Sequence, residues 1–196
     1  MRKLLTTIII SLLAAHTAVA QTAETAPRPE VLLETTEGNI RIALYNETPR
    51  HRDNFLRLVT EHFYDSLLFH RVIPNFMIQA GDPNSRHAEA GASLGAGDLP
   101  YKLEPEISDT LRHVYGSVAA ARLGDAVNPR RLSSASQFYI VTNRRGTPHL
   151  DGAYTVFGEV VDGMDVANRI QRVIRDDDDR PVYDVRILRA SVIGKD

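Results

Sequence analysis

The chain has 196 residues, with no Cys, no Trp, 12 Gly and 10 Pro, and it is 43% hydrophobic and 24% charged. That balance fits one globular domain with a sizeable core, and zero cysteines exclude a disulfide framework, a thiolate nucleophile and a Cys-based zinc or iron–sulfur site. Twenty-three basic residues against 25 acidic ones, a net charge of −2, show none of the basic excess of a nucleic-acid binder.

Residues 1–20 (MRKLLTTIIISLLAAHTAVA) open with Arg2 and Lys3, continue as an apolar run from Leu4 to Ala15 and end on Ala18-Val19-Ala20. A positive start, a short apolar run and a small-x-small ending are the pattern of a secretory signal peptide. As helix the run rises about 18 Å, short of the roughly 30 Å hydrocarbon core, which argues against a membrane anchor. Cleavage before Gln21 removes two basic residues and no acidic one, taking the net charge from −2 to −4. The expected product is exported, periplasmic or secreted, and free of the membrane. Residues 21–29 (QTAETAPRP) read as a flexible lead-in and residues 30–196 as one domain.

Within that domain, residues 31–45 read as a β-hairpin turning at Glu37-Gly38-Asn39, with Ile40, Ile42 and Leu44 on one face. Thr48 and Pro49 read as N-cap and first turn of a helix over about 49–62, whose apolar stripe is Phe55, Leu58, Val59 and Phe63. Short β-segments follow at 68–73, 76–79, 116–119, 137–141 and 154–161, then a second helix at 164–174 and a last strand at 182–193. Two long loops, 83–105 and 123–135, are enriched in Gly, Ser and Asn. The order lacks the regular βα alternation of a parallel sheet and predicts a mainly β fold, an antiparallel barrel with two helices packed outside. Long loops of this kind often carry function.

The segment from Phe69 to Asp82 (FHRVIPNFMIQAGD) is the most informative. Two-residue alternation places Phe69, Arg71 and Ile73 on one face and turns His70 to the other. Beyond the Pro74-Asn75 turn, Phe76, Met77 and Gln79 fall close by. A guanidinium, a ring, a thioether and an amide brought together make an apolar pocket with a few oriented polar groups. A core strand pair with one solvated Arg is the other reading of the same pattern.

This segment resembles the signature of the cyclophilin-type peptidyl-prolyl isomerases. So do Gly116–Arg122 (GSVAAAR), Ser136–Val141 (SQFYIV) and His149–Gly158 (HLDGAYTVFG), in the family's order and at compatible spacing over about residues 30–194. The resemblance implies an eight-stranded antiparallel β-barrel capped by two α-helices. It implies catalysis of rotation about X–Pro bonds, in the service of protein folding, with no cofactor and no metal. The partners it implies are proline-containing segments of unfolded or folding proteins. By position, Arg71 matches the catalytic arginine, Phe76, Met77 and Leu150 the walls of the proline pocket, and Gln79 the glutamine that holds the substrate backbone. Tyr139 replaces a more usual Phe in that pocket. Ala121 and Gln137 match residues of the adjoining groove. Arg122, His149 and Tyr154 stand where many eukaryotic members have Asn, Trp and His, departures that bacterial-type members share. They bear on cyclosporin affinity more than on catalysis. A cyclophilin-fold binding module or chaperone without turnover is the alternative, and Arg71, Phe76 and Gln79 together favour the enzyme. With no heptad pattern and no exposed apolar helix in view, a monomer is expected.

Other signals carry less. The six His after residue 20 (His51, His62, His70, His87, His113 and His149) form no zinc-binding spacing, and no phosphate-loop pattern occurs. Asp176-Asp177-Asp178-Asp179 reads as a solvated turn after the second helix. Arg130-Arg131 and Arg144-Arg145 fall in loops near the groove, where they would favour acidic substrate segments or serve solubility.

Overall fold

The computed structural model describes residues 27–194. The signal peptide expected over 1–20 and most of the expected lead-in lie outside the described residues.

Strands β1 (Glu30–Thr35) and β2 (Gly38–Leu44) form the expected hairpin. The turn is Thr36-Glu37, ahead of the predicted position, because Gly38 already pairs with Thr35. Gly38 has φ +124°, and a Cβ there would come within 3.1 Å of Val166. The positive φ favours glycine at this position, and any side chain would also crowd the second helix.

Helix α1 runs over Pro49–Thr60. Thr48 occupies the N-cap position but makes no side-chain capping bond. Glu106, from the long loop, caps the helix instead. Its carboxylate accepts from the main-chain N–H groups of Arg50 at 3.0 Å and His51 at 2.9 Å, and lies 2.6 Å from His51 Nδ1. A carboxylate at a helix N-terminus satisfies free donors and complements the helix dipole.

The chain continues through β3 (Phe69–Ile73), β4 (Met77–Ala80), β5 (Lys102–Leu103), β6 (Ser117–Ala120), β7 (Ser133–Ser134), β8 (Phe138–Val141) and β9 (Val156–Asp162). Helix α2 (Met164–Ile170) and β10 (Ile187–Ile193) complete it. The predicted second helix and last strand are both shorter than expected. A tight loop replaces their facing ends: Asp176 N–H donates to Arg180 O at 2.8 Å and Val182 N–H to Ile174 O at 2.9 Å.

Eight strands make one antiparallel sheet in the order β10-β1-β2-β9-β6-β8-β4-β3. Bulges at Glu34/Thr35, Arg41/Ile42, Phe69/Arg71 and Val118/Ala119 curl it. Its two edges meet through hydrogen bonds from Ser66 N to Ile187 O (2.8 Å), Ile187 N to Leu67 O (2.8 Å) and Phe69 N to Val185 O (2.9 Å). The expected mainly β, eight-stranded antiparallel architecture with two helices is therefore present. The β5–β7 pair lies outside this sheet and ties the two long loops together. Phe55 of α1 anchors the core, its ring centroid 4.9–5.4 Å from those of Tyr64, Phe138 and Phe157. Among the described residues, no helix is long and apolar enough to cross a membrane.

The cap makes a prediction opposite to the local sequence rule. Glu106→Ala should lower stability by about 1–3 kcal/mol in urea unfolding. Thr48→Ala, which removes a hydroxyl with no hydrogen-bond partner among the described residues, should change it little.

Candidate active site

Four neighbouring strands present two kinds of residue in register. Arg71 lies opposite Gln79, Gln79 opposite Tyr139 and Tyr139 opposite Ala119, one row across β3, β4, β8 and β6. The next row, Val72, Ile78, Ile140 and Val118, is fully buried inside the barrel. Tyr139 and Ala119 of the first row belong to a separate apolar cluster on the other face, with Met77, Val141 and Val156, and Ile73, Phe76, Leu150 and Tyr154 pack around it.

The bulge at His70 corrects the sequence reading. Phe69 pairs with Ala80 and Arg71 with Gln79, leaving one extra residue on β3. Phe69 therefore enters the core instead of sharing a face with Arg71. His70, expected to turn away from Arg71, lies under Gly95 and borders the same cavity. It is buried, and neither ring nitrogen has a hydrogen-bond partner among the described residues. Burial pushes its pKa down to about 4, so the ring stays neutral, with the charge of Asp82 opposing.

The cavity is about 420 Å³. Of the expected site residues, Arg71, Phe76, Met77, Gln79, Ala121, Arg122, Tyr139, Leu150 and Tyr154 line it. Two do not. Gln137 sits behind Gln79, accepting from its Nε2 at 2.8 Å and donating to Gly95 O at 3.0 Å and Gly97 O at 2.5 Å. It holds Gln79 and the loop. His149 stacks on Phe76 at 5.7 Å, remains exposed and stays outside the cavity lining.

Arg71 is half-buried, its closest polar contact a long one of 3.5 Å from Nη1 to Gln79 Oε1. Among the described residues it makes no ion pair. Arg122 contrasts with it: Nε donates to Ala153 O at 2.8 Å, Nη1 meets Asp125 Oδ1 at 2.6 Å, and the guanidinium covers Tyr154 at 4.4 Å. Its charge is consumed in fastening the cavity wall.

The opposite end is formed by residues 91–95 together with Asp176, Asp178 and Arg180. The acidic run is thus more than a solvated turn. Asp179 O accepts from Val72 N–H at 2.8 Å and pins the run to β3. Buried Asp82, ending the signature segment, holds the same loop through the N–H groups of Gly95 and Gly97. Neither Asp82 nor Glu106 was assigned a role from sequence. Asp82 before Pro83 carries a turn signal, and its side chain does accept from Asn84 N–H at 2.8 Å. The four loop arginines stay outside the cavity lining: Arg130 pairs with Glu104, Arg131 with Asp125, Arg144 covers Tyr115, and Arg145 is exposed.

An apolar socket beside one amide and one guanidinium that makes no ion pair among the described residues, carried on a curled antiparallel sheet, has the form of a binding cleft. A family model for cyclophilin type peptidyl-prolyl cis-trans isomerases matches residues 30–192, and the chain belongs to that family. It is a peptidyl-prolyl cis-trans isomerase. It is 38% identical over 167 residues to a peptidyl-prolyl cis-trans isomerase of Arabidopsis thaliana, covering 84% of this chain and 94% of that one. It is 40% identical over 162 residues to another of Schizosaccharomyces pombe, covering 82% and 96%. A crystal structure of a Cryptosporidium parvum cyclophilin type isomerase superposes with a TM-score of 0.72 at 25% identity, over 86% of this chain and 99% of that one. The same protein was also crystallised in the presence of the dipeptide Ala-Pro, with a TM-score of 0.71.

His70 makes stability depend on pH. Its native pKa of about 4 lies below the unfolded value of 6.5, so between these values the unfolded chain binds the extra proton. This contribution to stability is therefore lost as pH falls from 6.5 toward 4, by up to roughly 3 kcal/mol. Urea midpoints measured across this range should fall less steeply in His70→Phe than in the wild type.

Proposed function

We propose that Arg71 is the catalytic group and that Phe76, Met77, Tyr139 and Leu150 hold the substrate proline ring. The reaction sets the requirements. Rotation about an X–Pro bond breaks amide resonance against a barrier of about 18–20 kcal/mol, and uncatalysed exchange takes roughly 10–100 s. No bond is made or cut. In the twisted transition state the prolyl nitrogen becomes pyramidal and regains a lone pair. A fixed cation aimed at that lone pair stabilises the twisted form more than the planar one. Arg serves because it stays charged and presents its donors in a plane.

The observation that carries this reading is that the Arg71 guanidinium lines the same cavity as the socket and makes no ion pair among the described residues. Gln79, held by Gln137, is placed to hold substrate backbone groups while the carbonyl before the proline swings. The substrates on this reading are proline-containing segments of unfolded or folding proteins, bound by a monomer. A site reading one proline and a few backbone atoms should tolerate varied flanking residues.

The chain is, on the same proposal, an exported bacterial-type member, with residues 1–20 a signal peptide and the domain beginning near residue 30. The n-region at Arg2-Lys3, the apolar run and Ala18-Val19-Ala20 support export, and Arg122, His149 and Tyr154 support the bacterial type.

In a protease-coupled assay on an X–Pro peptide, Arg71→Ala should lose about 10²–10³ in kcat/KM, with peptide affinity changed far less. Near-wild-type turnover would remove Arg71 from the role. Wild-type binding without turnover would mark a binding module. Mass spectrometry of protein exported by an expressing cell should find Gln21 at the N-terminus, and a retained segment 1–20 would overturn cleavage.

A further inference from the structure

A hydroxyl buried in an apolar wall needs a partner. Tyr139 is 5% exposed, and its hydroxyl lies 3.0 Å from Nε2 of His113. The two rings stack at 6.1 Å, with planes 13° apart. His113 is itself buried, and its Nδ1 lies 2.8 Å from Asp151 Oδ1. The same oxygen accepts the main-chain N–H of His113, also at 2.8 Å.

The donor roles follow by elimination. An ionised carboxylate only accepts, so the imidazole proton sits on Nδ1. Nε2 then carries a lone pair, and the Tyr139 hydroxyl donates to it. Burial also lowers the His113 pKa, against the opposing effect of Asp151, and favours the neutral ring that this arrangement needs. His149 opposes the charged form as well, and Arg112, 3.5 Å from Asp151 Oδ2, helps to keep that carboxylate ionised.

The chain of hydrogen bonds reaches two walls of the socket. Tyr139 is one. Asp151 directly follows Leu150, the other, and the loop carrying both is fixed to His113 a second time by Thr147 N–H donating to His113 O at 2.8 Å. His113 itself stays outside the cavity lining.

We propose that His113 and Asp151 are positioning residues of the isomerase: they draw the Tyr139 hydroxyl out through the back of the socket, leave ring carbon facing the substrate proline, and hold the Tyr139 and Leu150 walls at one spacing. This rests on the reading of the socket as the proline site. A socket held at one spacing serves the twisting imide, whose ring must stay fixed while the carbonyl moves, so loosening it should affect turnover more than affinity.

The test compares Tyr139→Phe, His113→Asn, His113→Gln and the Tyr139→Phe/His113→Asn pair, by exchange NMR on an X–Pro peptide. Asn can keep a donor near the Nδ1 position but falls short of Tyr139, whereas Gln can reach toward Nε2. Tyr139→Phe and His113→Asn should each lower kcat about five- to tenfold, the factor set by one hydrogen bond, with KM changed less than about twofold. The pair should be no worse than the weaker single variant, since both cut the same bond. His113→Gln should recover part of the loss. In the wild type, ¹⁵N spectra should show the Nδ1–H tautomer of His113, and Tyr139→Phe should shift its Nε2 resonance. That last comparison needs no histidine variant to fold. Wild-type kcat in Tyr139→Phe, multiplicative losses in the pair, or an unmoved Nε2 resonance would each overturn the proposal. Loss of Arg71 dependence in the wild type would instead overturn the site reading beneath it.

Discussion

Strands that are apolar on both faces make this site possible. In β4, β6 and β8 the two-residue period sends Ile78, Val118, Phe138 and Ile140 into the barrel and Met77, Ala119, Tyr139 and Val141 outward. The inward set packs the core. The outward set would be an exposed liability on an ordinary surface, and here it forms a socket. Because both sets share one backbone, the socket inherits the rigidity of the core. The bulge at His70 then moves Phe69 inward and leaves Arg71 outward, in line with Gln79 and Tyr139. Without that extra residue, alternation would return Phe69 and Arg71 to one face.

Much of the remaining architecture holds loops still, and single buried or half-buried polar side chains do most of it. Asp82 holds residues 95–97, Gln137 braces Gln79 against that loop, Glu106 caps α1, and Asp151 grips His113. In each case one side chain satisfies several donors or acceptors that would otherwise be left unpaired in loops. An isomerase that makes no covalent bond gains its advantage by fixing geometry, so such supports bear on function as well as stability.

Charge is handled by the same logic. Arg122, Arg131 and Arg180 are each engaged by carbonyls or carboxylates around the cavity. Among the described residues, Arg71 keeps only a long contact to a neutral amide. A guanidinium already paired with a carboxylate would have much of its field cancelled before substrate arrived. Leaving it unpaired in a half-buried row forgoes that stabilisation and, in the role proposed for Arg71, keeps the charge available to a developing lone pair.

Sequence alone determined the element order of the main sheet and its antiparallel class, because strand periodicity is a local property of the chain, and the family resemblance of its motifs supplied nine of the residues that line the cavity. It could not place Phe69 or His70 correctly, and it gave no role to Glu106 or Asp151. Whether a residue is inserted in a bulge depends on the register of the partner strand, and whether a carboxylate caps a helix depends on a loop 55 residues away reaching it. Those are choices made between segments. Only the closed sheet, with its loops folded back over it, brings the competing partners close enough to decide them.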